Sequence, residues 1–222
     1  VTGVQTCALP ISSKALLAAA KRVSVSRGFP AFGLEGAPPR VDFAAVMDHV
    51  HGVIAAIEPN DSQERFEGLG VRVLRAAGRF TGSDTVEAGG TRIRARRIVI
   101  ATGSSPATPP IPGLESVPFL TNETVFENRI LPRHLIVIGG GPIGIEMAQA
   151  HRLLGADVTV LEALPRIMPH DDPELVTLLT ERLRADGVTI RAGAAIRRIE
   201  RAGETIAVML ATALLGGGAL WA

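Results

Sequence analysis

Two spacings of apolar residues alternate along the chain, one typical of helices and the other typical of strands. The pattern predicts a helix from Lys14 to Arg22 that can extend to Arg27, and a longer helix that Asp42 caps and Pro59 ends. One face of the longer helix carries apolar side chains at helical spacing, namely Val46, Val50, Val53, Ile54 and Ile57. Such a face predicts burial against other helices or a sheet.

Shorter elements follow before a proline-rich run at residues 106–118. Asp61 with Glu64 resembles a capping box and predicts a short helix ending near Gly68. The predicted strands are Val71–Leu74, a hairpin of Thr85–Ala88 and Thr91–Arg94 joined by Gly89 and Gly90, and a buried strand at Arg97–Ala101. The proline-rich run is the best internal boundary because it interrupts every periodic pattern.

Beyond that boundary, strands and helices alternate with short connections. The predicted strands are His134–Ile138, Val158–Leu161, Val188–Ile190 and Ala195–Ile199, and the predicted helices are Pro142–Leu154 and Pro173–Asp186. The second of these helices is expected to carry four leucines on one side, namely Leu175, Leu178, Leu179 and Leu183. Strand–helix–strand order with short loops predicts an α/β fold with a parallel sheet and right-handed crossovers.

Composition excludes several classes of protein. Of 222 residues, 46% are hydrophobic and 20% charged, which rules out a chain that is disordered throughout. The net charge of +1 gives no reason to expect nucleic acid or an anionic membrane as a partner. A single cysteine, Cys7, excludes an intrachain disulfide framework. No spacing of the five histidines predicts a metal site, and Asp171 and Asp172 are interpreted as a helix cap.

Both ends of the chain differ from the rest. Residues 1–11 match, residue for residue, the translation of a widely used sequencing adapter, so we expect this segment to be foreign to the fold and Cys7 to be foreign with it. Residues 206–222 are almost wholly apolar and contain three consecutive glycines. We interpret them as the start of a strand followed by a truncated or frame-shifted tail, with a membrane anchor as the alternative.

The most informative motif is a glycine-rich turn between a predicted strand and a predicted helix. Gly139, Gly141 and Gly144 form G-x-G-x-x-G, and Pro142 and Ile143 open the predicted helix. Glu162 ends the next predicted strand. The first glycine permits a tight turn, the second lets a pyrophosphate approach, and the third lets helix and strand pack closely. A carboxylate at Glu162 accepts hydrogen bonds from a ribose 2′-hydroxyl and repels a 2′-phosphate, so NAD(H) is favoured over NADP(H).

A second short segment, Ala101-Thr102-Gly103-Ser104, follows the predicted strand at Arg97–Ala101. Small residues at a strand end let backbone approach a ligand, although an ordinary turn explains the segment equally well. Together, the two motifs resemble those of the pyridine nucleotide–disulfide oxidoreductases, which include dihydrolipoamide dehydrogenase and mercuric reductase. The segment Ser13-Lys14-Ala15-Leu16-Leu17 resembles the sequence that follows the redox-active cysteine pair of that family.

This resemblance implies two Rossmann-like nucleotide-binding domains, both incomplete. Residues 12–118 would be a partial FAD-binding domain and residues 119–205 a partial NAD-binding domain, within the middle of a longer protein. Lys14 resembles the lysine beside the flavin N5, and Glu146 resembles the glutamate that pairs with it. Gly78 resembles the position whose backbone reaches the FAD adenine, and residues 101–104 resemble the segment that lies along the FAD.

The implied activity is electron transfer from NADH to FAD and then to a disulfide or metal acceptor, with a protein similar to dihydrolipoamide dehydrogenase preferred. The alternatives are an oxidase or quinone reductase without a redox disulfide, and a nucleotide-binding redox module without turnover. The resemblance also implies a cytoplasmic homodimer in the parent protein. The chain as written lacks the cysteine pair and the first FAD phosphate motif, so we expect it to be inactive.

Overall fold

A computed structural model describes residues 5–37 and 39–211 of the chain. The fold is mixed α/β, as the sequence predicts. Helices precede a small antiparallel sheet, and a parallel sheet with flanking helices follows.

Three helices form the first part of the fold. They are α1 (Gln5–Arg27), α2 (Phe43–Ile57) and α3 (Gln63–Gly68). The Asp42 side chain accepts a hydrogen bond from the Ala45 N–H and caps α2, as predicted. α3 is capped by Ser62, not by Asp61, because Ser62 is extended and its hydroxyl accepts from the Arg65 N–H, whereas Asp61 ends a preceding 3-10 turn.

α1 begins well before the predicted start at Lys14, so its backbone passes through part of the segment expected to be foreign. The origin of residues 1–11 stays a prediction, and residues 1–4 lie outside the described part.

The antiparallel sheet is a meander of β1 (Gly78–Gly82), β2 (Thr85–Ala88) and β3 (Thr91–Arg94). Gly89 and Gly90 join β2 to β3 with φ angles of 54° and 73°. Positive φ at both central residues gives the turn a twist that matches the flanking strands, which explains why two glycines stand there. The predicted hairpin is therefore confirmed.

Two predicted strands are wrong. Residues 71–74 and 97–101 are irregular, and Val99 and Ile100 are 86% and 71% exposed. A strand needs a neighbour to pair with its backbone groups, and the described residues supply none beside either run. Residues 97–101 have the apolar composition of a buried strand. Composition does not show whether a neighbouring strand is present to pair with them, and here none is described.

The parallel sheet has the order β4 (His134–Ile138), β5 (Asp157–Glu162) and β6 (Thr189–Ala192). The connection from β4 to β5 contains α4 (Pro142–Leu154), and the connection from β5 to β6 contains α5 (Pro173–Ala185). Gly155 ends α4 with a φ of 118°. This strand–helix–strand unit confirms the α/β prediction and brings the carboxyl ends of β4 and β5 side by side.

The predicted leucine side of α5 is buried only in part. Leu183 is fully buried with Val176, and Leu179 packs against the same core, but Leu175 and Leu178 are 67% and 63% exposed. Five apolar residues lie between positions 175 and 183, so the sequence permits two overlapping apolar faces on α5. The sheet covers only one of these faces.

A two-stranded antiparallel sheet, β7 (Ile196–Ala202) with β8 (Thr205–Leu210), follows β6. β8 confirms a strand start near Ile206, whereas the expected tail at residues 212–222 lies outside the described residues.

One core is built from helices on both sides of the proline-rich run. It joins α1, α2 and α4 through buried residues that include Leu16, Met47 and Met147. A second core lies between the parallel sheet and its helices, centred on Val160 and Leu183. The helix that carries Lys14 is thus packed on the helix that follows the glycine-rich turn. The domain limits at residues 118 and 205 stay predictions.

Candidate dinucleotide-binding site

The glycine-rich turn leaves β4 at its carboxyl end and enters α4. Gly139 has a φ of 105°, which L side chains rarely adopt, and its N–H donates to the Leu161 carbonyl at 2.8 Å. A Cβ on Gly144 would stand 2.2 Å from the Gly139 carbonyl oxygen. A Cβ on Gly141 would meet no protein atom within 4 Å. The third glycine is therefore required by the protein itself, and the second leaves room for something else.

The first turn of α4 faces this open space. Gly141 is the N-cap residue, Pro142 and Ile143 are the first residues of the helix, and no side chain in the described residues caps it. A helix N-terminus has free N–H groups and the positive end of the helix dipole, which together suit an anion such as a pyrophosphate. Pro142 supplies no N–H, so the backbone donors at this end of α4 belong to its neighbours on either side.

Glu162, at the carboxyl end of β5, lies directly beside the turn. Its carboxylate accepts hydrogen bonds from the Gly140 N–H at 2.7 Å and the Leu164 N–H at 2.8 Å, and the residue is 9% exposed. Two backbone donors fix the side chain at the place where the motif requires an acceptor. Each carboxylate oxygen still has capacity for a further hydrogen bond.

Sequence reasoning missed Gly140 and the loop that follows β5. The Gly140 carbonyl accepts from the Met168 N–H at 2.8 Å, and a Cβ on Gly140 would lie 2.7 Å from Ile167 Cγ2. A signal was available: three consecutive glycines stand where the motif needs only two. The extra glycine has its own physical reason, which is the close packing of Ile167.

Lys14 and Glu146 lie on neighbouring helices, but the structure does not bring their charges together. Lys14 is exposed on α1, Glu146 is half-buried on α4, and no ion pair joins them within the described residues. The predicted pairing therefore stays a prediction about the protein with its flavin bound.

The residues assigned to FAD do not form a cradle. Gly78 begins β1 and pairs with Ala88, and residues 101–104 are irregular and exposed. Gly103 has a φ of 70°, so the backbone does turn there.

The described residues contain no group of three or more His, Cys, Asp or Glu side chains that could hold a metal ion. Across the same residues, each helix is too short or too polar to cross a membrane. His151 is fully buried on α4, where its Nδ1 lies 2.9 Å from the Met147 carbonyl oxygen, and burial lowers its pKa.

The parallel sheet, the turn and the carboxylate at the end of β5 define a dinucleotide-binding α/β protein. Residues 2–217 match the family model described as pyridine nucleotide-disulphide oxidoreductase. The chain therefore belongs to the pyridine nucleotide–disulphide oxidoreductase family, as its motifs predict.

Named relatives agree with this assignment. The chain is 30% identical over 194 residues to a mercuric reductase of Lysinibacillus sphaericus, covering 87% of the chain and 36% of the relative. It is 36% identical over 190 residues to dihydrolipoyl dehydrogenase 3 of Pseudomonas aeruginosa, covering 82% of the chain and 40% of the relative. The chain thus spans less than half the length of these curated relatives.

Solved structures share the fold. LpdA from Mycobacterium tuberculosis superposes with a TM-score of 0.75 at 24% identity, covering 90% of this chain and 45% of that one. A Cu(II) complex of the HOCl-induced flavoprotein disulfide reductase RclA from Escherichia coli gives a TM-score of 0.72 at 24% identity, covering 92% and 44%. At this identity the likeness concerns the architecture.

Proposed function

We propose that the chain is the nucleotide-binding part of an FAD-dependent oxidoreductase. This enzyme takes electrons from NADH and delivers them to a disulfide or a metal ion. Family membership supports a flavin and a nicotinamide nucleotide in general. The observation that carries the choice of NADH is the position of Glu162 beside the Gly139–Gly144 turn.

The described residues fit the nicotinamide nucleotide well. The open space at Gly141 and the uncapped N-terminus of α4 would receive the pyrophosphate, and Glu162 would accept from the ribose 2′-hydroxyl. A 2′-phosphate at the same place would confront a carboxylate that two N–H groups hold in position. The nucleotide, once bound, supplies a hydride, and the contribution of these residues is to bind and orient it.

On the flavin side, the proposal assigns Lys14 to a position beside the flavin and Glu146 to its charge partner. The packing of α1 against α4 supports the assignment, because it keeps the two side chains on adjacent helices. A lysine ammonium near the ring stabilises negative charge on a reduced flavin, and an ammonium that becomes buried needs a carboxylate. Gly78 and residues 101–104 are assigned to the FAD by resemblance alone.

Two acceptors follow from the relatives, a disulfide as in dihydrolipoyl dehydrogenase and a metal ion as in mercuric reductase. The expected preference for NADH favours a protein similar to dihydrolipoyl dehydrogenase. A homodimer is expected for the whole protein.

Titration calorimetry with NADH and NADPH tests the proposal. We expect the chain to bind NADH at least about tenfold more tightly, since a hydrogen bond to a charged group contributes about 1.5–3 kcal/mol. Glu162→Gln should narrow this preference, whereas Glu174→Gln, at an exposed residue in the first turn of α5, should leave it unchanged. Equal affinities for the two nucleotides in the unmodified chain would contradict the assignment of Glu162.

A further inference from the structure

The loop between β5 and α5 contacts the glycine-rich turn at Gly140. The N–H of this glycine is bonded to Glu162, its carbonyl accepts from the Met168 N–H at 2.8 Å, and Ile167 occupies the place of its missing side chain. Both backbone polar groups of Gly140 are thus bonded to residues from 162–168, so the orientation of the turn depends on the shape of this loop.

That shape is strained at one residue. Met168 has a φ of 48°, the one positive value outside glycine among the described residues. A left-handed conformation in a residue other than glycine costs roughly 1–2 kcal/mol and persists only where neighbouring contacts determine it. In this conformation the Met168 N–H points at the Gly140 carbonyl and donates a hydrogen bond to it.

Arg166 supplies the contacts that hold the loop. Its Nη2 donates to the Pro169 carbonyl at 2.7 Å and the Asp171 carbonyl at 3.0 Å, on the far side of Met168. The Asp171 N–H in turn donates to the Met168 carbonyl at 3.1 Å. Ile167, between Arg166 and Met168, is 2% exposed. One guanidinium therefore closes the loop around the strained residue.

We propose that Arg166 is a positioning residue for the nicotinamide nucleotide, acting through Met168 and Gly140 on the turn that binds the pyrophosphate. The inference rests on the proposed function. The peptide that joins Gly140 to Gly141 is oriented by the hydrogen bond that its carbonyl accepts from the Met168 N–H. Release of the loop by loss of Arg166 would leave the turn free to rotate, and nucleotide binding would then have to order it again.

Two readouts on the purified chain test the inference, and the first needs no nucleotide. Hydrogen exchange, measured by mass spectrometry, should become about tenfold faster in peptides covering residues 138–146 of Arg166→Gln, since a coupling of this size is typical between linked elements. Peptides covering α5 should be unchanged. Arg166→Lys, which keeps the charge and one donor direction, should restore part of the protection. Arg184→Gln, at an exposed arginine of α5, is the matched control.

The second readout is the Kd for NADH, which should rise about tenfold in Arg166→Gln, partly recover in Arg166→Lys and stay constant in Arg184→Gln. Met168→Gly removes the strain but keeps the N–H, so its Kd should stay within about twofold of the unmodified value. Unchanged exchange at residues 138–146 in Arg166→Gln, or faster exchange throughout the chain, would overturn the inference. If exchange responds as expected while the unmodified chain fails to bind NADH, the proposed function falls and the mechanical link between Arg166 and the turn stands.

Discussion

Replacement of Gly144 by alanine gives a direct test of the packing between α4 and β4. The added methyl would stand 2.2 Å from the Gly139 carbonyl oxygen and 3.3 Å from Val137 Cγ1. The first distance is roughly 1 Å shorter than an ordinary carbon–oxygen contact, and the obstructing atom is backbone. The helix must therefore move away from the turn, because the Gly139 carbonyl cannot turn aside without moving the backbone.

The magnitude follows from two opposing effects. Overpacking costs about 1–3 kcal/mol, and a clash with backbone belongs at the upper end of that range. Alanine recovers up to about 1 kcal/mol of helix propensity. The net loss is about 2 kcal/mol, which corresponds to a fall in Tm of roughly 4–8 °C for a chain of this length.

Gly141→Ala is the matched control, because its methyl would meet no protein atom within 4 Å and its φ of −76° suits alanine. Thermal denaturation followed by circular dichroism should show a Tm within about 1 °C of the unmodified chain for this variant. Its affinity for NADH should fall, since the methyl takes the space that the pyrophosphate needs. A Gly144→Ala chain as stable as the unmodified one, or a Gly141→Ala chain that binds NADH normally, would refute the reasoning.

Two further predictions concern stability. Leu183→Ala should lower the free energy of unfolding by about 2–5 kcal/mol, whereas Leu178→Ala should change it by less than about 0.5 kcal/mol, because only Leu183 is buried; equal losses in urea denaturation would restore the face of α5 predicted from sequence. Burial lowers the pKa of His151 in the folded chain. As the pH falls below about 6.5, the imidazole is therefore protonated in the unfolded chain before it is protonated in the folded chain, and the free energy of unfolding decreases. Between about pH 7 and pH 5 the loss should be smaller in His151→Phe and unchanged in His49→Gln, at an exposed position of α2, and an identical pH dependence in all three chains would contradict this account.

Local signals explain why α4 could be placed from the sequence. Pro142 suits the first turn of a helix, and Gly155 adopts the left-handed conformation that ends one. The turn before α4 can also be predicted from the sequence, because each glycine of the motif is required for a separate steric reason. These features depend on residues close together in the chain, so the sequence alone is enough to predict them.

Features that depend on distant partners could not be predicted in this way. Val99 lies in a run with the composition of a buried strand, yet composition does not say whether a neighbouring strand is present. The exposure of Leu178 depends on which side of α5 the sheet covers. The left-handed conformation of Met168 is not predicted by its residue type, and it accompanies a hydrogen bond from its N–H to the carbonyl of Gly140 in the earlier turn.

Nuclear magnetic resonance of the chain labelled with ¹⁵N at glycine tests the central claim most directly, because the glycines that form the site each report separately. On titration with NADH, we predict saturable shifts of the amide signals of Gly139, Gly140, Gly141 and Gly144. The signals of Gly89 and Gly90, in the hairpin of the antiparallel sheet, should stay in place. Shifts confined to glycines outside residues 139–144, or no saturable shift with NADH, would contradict the claim that this turn and Glu162 form a site for NADH.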